Sequence, residues 1–161
     1  MKSVYLILFL SISFTANAQE LIGKPKAETR RALLQLVAAK DTVSRQFRET
    51  DSTMVVTSHY KTRATSIVSV FGFNKAGICI EEKVKADCAA CMAPYLEMVL
   101  AKKTYNWKKI NEHQYISGFE QKMFLELPPE GELSSFMIFR VEWSKEMYEV
   151  LRTSSVNGVK E

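Results

Sequence analysis

The sequence predicts an α+β fold: two α-β-β-β units forming one antiparallel sheet of about six strands, with helices packed on one face. Three observations lead there. Apolar residues recur at helical spacing after Pro25 and again after Pro94. Each stretch is followed by alternating runs rich in β-branched and aromatic residues, separated by short turns. Consecutive strands, in place of regular strand–helix alternation, favour antiparallel pairing under helices. The other sheet face is then left to solvent or to a partner.

The elements follow in order. Gly23, Lys24 and Pro25 introduce a helix over 26–39, where proline suits the first turn because its missing N–H is unpaired there anyway. Leu33, Leu34, Leu36 and Val37 form its apolar stripe, with Arg30, Arg31 and Gln35 mostly away from it. Strands are expected over 53–60, 65–73 and 78–84, the last two joined by a turn at Asn74, Lys75, Ala76 and Gly77. Asp87 is placed to cap a second helix. Pro94 would interrupt a helix begun there, so the preferred start is near Ala93, with 88–92 as an irregular lead-in. Further strands are expected over 105–110, 114–119, 123–127 and 136–143, with a turn at Pro128, Pro129, Glu130 and Gly131. A short helix over 145–151 closes the domain. The two units share no clear sequence identity.

Residues 1–18 read as a cleavable export signal. Lys2 supplies the positive start, 4–14 are apolar apart from Ser11 and Ser13, and Ala16 and Ala18 suit a small-residue cleavage site. That apolar run is too short to span a bilayer comfortably. The organisation expected is therefore a signal at 1–18, a single α+β domain at 19–153 and a flexible tail at 154–161. No stable membrane insertion is expected after cleavage, and the location is exported, either periplasmic or extracellular. Lys2 leaves with the signal, so the formal charge falls from +4 to +3. So small an excess, spread along the chain, does not suit a nucleic-acid partner.

Chemistry concentrates in three cysteines. Cys88 and Cys91 make a C-x-x-C, and Cys79 lies just upstream. One reading is a redox dithiol, because a helix N-terminus favours a thiolate. The Trp before the motif and the surrounding βαβ pattern of a thioredoxin-like site are absent. The other reading is a structural disulfide: Cys79 to Cys88, Cys79 to Cys91, and Cys88 to Cys91 are all allowed by sequence. A metal site would need a fourth ligand, and His59 and His113 each stand alone, so neither metal nor cofactor is expected. No G-x-S-x-G or H-E-x-x-H is present. Glu81 and Glu82 point to opposite faces of their strand and cannot act together on one substrate. Tyr105, Trp107 and Trp143 are candidates for a ligand groove or interface, against the commoner role of strand aromatics as core.

The opening Leu21, Ile22, Gly23, Lys24 and Pro25, followed by a helix, resembles the start of small envelope α+β modules of the outer-membrane-assembly or β-lactamase-inhibitor type. The resemblance carries no specific motif and implies no function. With no catalytic residues assigned, the favoured expectation is a non-enzymatic exported module binding an unidentified protein or small ligand. The alternative is thiol-redox or metal chemistry centred on Cys88 and Cys91.

Overall fold

The structure, a computed structural model, describes residues 18–38, 43–60, 65–129 and 134–157, without the side chains of 18, 19 and 154–157. A short 3-10 turn at Ala18–Leu21 leads into α1 (Lys26–Ala38). Four strands follow: β1 (Val43–Glu49), β2 (Thr53–Tyr60), β3 (Thr65–Phe73) and β4 (Cys79–Ala86). Next come α2 (Ala89–Leu100), β5 (Lys108–Asn111), β6 (Gln114–Ile116), β7 (Met123–Glu126), β8 (Ser135–Arg140) and α3 (Lys145–Asn157).

The α+β class holds, but the antiparallel sheet has eight strands rather than about six, in the order β1-β2-β3-β4-β8-β7-β6-β5. Each unit is thus α-β-β-β-β, and the two meet where β4 pairs with β8. The strand absent from the sequence reading is β1. Its inward positions hold Val43, Arg45, Phe47 and Glu49, too few of them apolar to mark a strand alone. Pairing with β2 along its whole length supplies what local pattern does not.

Register explains the core. Met54, Phe71, Glu82, Ile138, Leu125 and Tyr115 lie side by side across β2, β3, β4, β8, β7 and β6. This face packs against Leu33 of α1 and Met92, Leu96 and Val99 of α2 in one cluster. Out-of-phase residues Ile116 and Phe124 face the other way and gather with Trp143, Tyr148 and Leu151 in a second, smaller cluster. α1 and α2 therefore share one face and cover the main core, while α3 closes the β5–β7 end around the second cluster, on the side to which Ile116 and Phe124 point.

Two local devices position the site. Gly23, at φ +92°, lets its N–H reach the Cys79 carbonyl at 2.7 Å, and Cys79 N–H returns to the Lys24 carbonyl at 2.9 Å. This anchors the approach to α1 on the start of β4. Further along, Phe73 pairs with Cys79 but Gly72 with Glu81, so Ile80 is an extra residue bulged out of β4. The bulge shifts the strand's phase, which lets Cys79 and Glu82 both face the buried side.

α2 begins at Ala89, four residues earlier than the start expected near Ala93, and runs through Pro94. Proline removes one hydrogen bond and crowds the carbonyl a turn earlier. Burial of Met92, Leu96 and Val99 on either side of Pro94 offsets that cost. Asp87 is not the cap: that position is Cys88, in extended conformation at φ −145° and ψ 141°. The turn at Asn74 is as expected, with Asn74 Oδ1 accepting from the N–H groups of Ala76 and Ile78 at 3.0 Å each, and Gly77 at φ +72°. α3 extends to Asn157, into the stretch expected as a tail; 158–161, residues 1–17 of the signal expected at 1–18, and Glu130 and Gly131 of the expected turn lie outside the described residues.

Candidate functional site

The β4–α2 junction collects the polar chemistry. Cys88 and Cys91 are joined by a disulfide, their Cα atoms 5.4 Å apart, so of the three pairings allowed by sequence the one within C-x-x-C is formed. Cys88 is the N-cap and Cys91 lies in the first turn of α2, both half-buried. The Cys91 N–H donates to the Cys88 carbonyl at 3.2 Å, which closes the turn under the sulfurs. Both sulfurs thus stand at the positive end of a twelve-residue helix.

Thr65, the first residue of β3, faces this turn from the sheet and is buried. Its hydroxyl lies between the Asp87 carboxylate and the sulfurs, 3.1 Å from Cys91 Sγ and 3.8 Å from Cys88 Sγ. The second Asp87 oxygen accepts from the Ser66 N–H at 2.9 Å. These two bonds, the Thr65 hydroxyl first, hold the Asp87 carboxyl below the usual aspartate range. Ser66 continues outward to His59, whose Nδ1 lies 2.8 Å from its hydroxyl. His59 therefore has a defined place on the uncovered face, one residue beyond the sulfur site.

Cys79 differs in every respect. It is fully buried, it is the free cysteine, and its thiol donates to the Glu81 carbonyl at 3.7 Å. Burial first, then the nearby Glu82 and Glu81 carboxylates, pushes this thiol up to about 12. It forms no bond with the C-x-x-C pair.

Beneath α2 lies Glu82, which the sequence offered only as half of a Glu81–Glu82 pair and not as a buried group. Glu82 is 1% exposed, at the centre of the apolar row of the sheet, and its Oε1 has no hydrogen-bond partner among the described residues. Burial pushes its carboxyl up to about 7, against hydrogen bonding with Ser69 and the charge of Lys102, both of which favour ionisation. Tyr95 of α2 faces the same cluster, its phenol raised by burial and then by Glu82. Alternation along β4 placed Glu82 on the side of Val84; only its residue type argued against burial.

The aromatic candidates are not gathered into one groove. Tyr105, 7% exposed, stacks on Trp107 with ring centroids 5.8 Å apart, against the main core. Trp143, 4% exposed, belongs to the second cluster and donates from Nε1 to the Phe119 carbonyl at 3.1 Å. No helix among the described residues is long and apolar enough to cross a membrane.

Fold and site together define an antiparallel α+β protein with a disulfide-closed C-x-x-C where its sheet hands over to a helix. No protein-family model, curated protein or solved structure matches the chain.

Proposed function

We propose that the chain is an exported thiol–disulfide exchange module whose working bond is Cys88–Cys91. The observation that carries the reading is the placement of this disulfide at the N-terminus of α2, half-buried, with the Thr65 hydroxyl 3.1 Å from one sulfur. Its size adds support. A loop with a sequence separation of only three contributes about 2 kcal/mol in chain entropy. A bond from Cys79 to Cys91 would enclose more chain and stabilise by about 3 kcal/mol. A staple selected for stability alone would favour the larger loop. An export signal at 1–18 would deliver the module where disulfides persist.

The step takes a substrate dithiol. One substrate thiolate attacks Cys88 Sγ, forming a mixed disulfide and breaking the Cys88–Cys91 bond. Cys91, the sulfur nearer to the Thr65 hydroxyl, leaves as a thiolate stabilised by the helix N-terminus, and the single Thr65 proton turns from Asp87 to it as the charge develops. The second substrate thiol then attacks the mixed disulfide and releases Cys88. The substrate is oxidised by two electrons, and its two protons finish on the protein dithiol. An external disulfide regenerates the site by the reverse exchange.

The test is oxidation of a model dithiol peptide by the oxidised protein, followed as free thiol and by mass. Turnover well above that of glutathione disulfide at equal concentration is expected. A rate equal to that of the small disulfide would sink the proposal.

A protein-binding role, favoured from the sequence, is supported by the uncovered sheet face. Arg48, Val55, Val70, Lys83 and Met137 lie in register across it, with Val68 and Lys85 in the neighbouring row. Arg48, Lys83 and Lys85 are exposed around the half-buried valines, which suits an acidic partner with an apolar centre. Binding of an acidic peptide with Val- or Leu-rich centre should weaken with salt and fall on Lys83→Glu with Lys85→Glu. Equal affinity for a basic peptide of the same length would remove this reading.

A further inference from the structure

We propose that the same junction, once reduced, is a zinc site formed by Asp87, Cys88 and Cys91. This rests on the disulfide of the exchange reading being openable, and not on exchange being its role.

One ligand atom from each of these three residues lies within 4.8 Å of the others. The donor set is two thiolates and one carboxylate, which suits a borderline-soft divalent cation such as zinc rather than magnesium or calcium. Two thiolates around a tetrahedral zinc stand about 3.8 Å apart. Opening the sulfur–sulfur bond within one helical turn meets that spacing with side-chain rotation, since the Cα atoms are 5.4 Å apart. Asp87 supplies the third corner from the adjacent residue, and the exposed side of the turn leaves a fourth corner for water.

The surroundings orient the ligands. Asp87 Oδ1 is held by the Thr65 hydroxyl and Oδ2 by the Ser66 N–H, each leaving a lone pair for the metal. An aspartate fixed in this way by two donors loses little freedom on binding. The balance is simple: an external dithiol or phosphine reduces the disulfide by two electrons, the cation displaces two thiol protons, and these go to buffer. Reoxidation of the sulfurs expels the metal. One junction thus alternates between a disulfide and a cation site.

The experiment uses the full chain reduced with a phosphine under argon, its two new thiols certified by alkylation and mass; protein that resists native reduction is reduced unfolded and refolded. Zinc is then titrated in competition with a chromophoric chelator, and cobalt replaces zinc for spectroscopy. One zinc per chain is expected, with thiolate-to-cobalt charge transfer and the visible bands of a tetrahedral ion. Asp87→Asn should weaken zinc by about tenfold or more, Cys88→Ser should remove stoichiometric binding, and Cys79→Ala should leave it unchanged. Unaltered affinity in Asp87→Asn, half a zinc per chain, or an octahedral cobalt spectrum would each overturn the site. Failure to bind zinc with the dithiol verified leaves exchange standing, whereas failed exchange with zinc bound removes only exchange.

Discussion

Cys79 stands at the first residue of β4, and Cys88 follows just beyond its last, so one strand carries sulfur at both ends. At the first end the bulge at Ile80 turns the thiol into the core, where burial and two neighbouring carboxylates keep it protonated. At the other end the chain leaves the sheet into a helix, and the sulfurs meet a hydroxyl, a carboxylate and the helix terminus. Residue type is the same in both places. Reactivity is set by what faces the sulfur: apolar packing with no donor on one side, polar groups and partial exposure on the other.

The largest break in that comparison comes from removing either reactive sulfur. Cys88→Ser or Cys91→Ser should reduce dithiol oxidation to background in the peptide assay, because the bond that accepts the electrons no longer exists. Next in size is Glu82, midway along β4. Its folded-state pKa, about 7, lies above the ordinary value of 4.5. The neutral acid is therefore favoured by folding, and its contribution is complete below 4.5 and lost as pH rises through about 7. That loss is on the order of 3 kcal/mol. Glu82→Gln, neutral throughout, should flatten the profile, raising denaturation midpoints at pH 8 while changing little at pH 4. An unchanged pH profile in this variant would show that another group sets it.

Third is Thr65→Val, which keeps shape and deletes the hydroxyl between Asp87 and Cys91. The departing Cys91 thiolate then lacks a donor, and attack on Cys88 should slow by about tenfold. Thr65→Ser should restore the rate. Stopped-flow reduction by a small dithiol reads both; equal rates in all three proteins would place Thr65 outside the chemistry.

The sequence made much of this legible, by the residues that carry period and punctuation. Alternation in 65–73, the Asn74–Gly77 turn and the C-x-x-C itself were all readable. β1 was not, since an edge strand needs only one partner and Arg45, Arg48 and Glu49 dilute its pattern. Pro94 misplaced the start of α2 because tertiary burial of Met92 and Leu96 outweighs a local rule. The bulge at Ile80 left no sequence mark, and with it the inward turn of Cys79 went unread. Thr65 and Asp87 are twenty-two residues apart, and only strand register brings them to one sulfur pair.

The smallest effect sharpens the comparison from the silent side. Cys79→Ala deletes one buried sulfur from a site that is 0% exposed, at a cost of about 1 kcal/mol through lost contacts and a small void. The strand should keep its course, because Gly23 and Lys24 hold residue 79 through backbone atoms that the substitution leaves in place. Exchange rate should be unchanged, and native alkylation of the oxidised parent should yield no labelled cysteine, since its Cys79 thiol is both buried and protonated up to about 12. Labelling of Cys79 in the native, oxidised parent at pH 8 would mean that the start of β4 opens to solvent. The contrast between the two ends would then be one of kinetics rather than environment. A slower exchange in Cys79→Ala would go further, because it would tie the buried thiol to the chemistry at the far end of its strand.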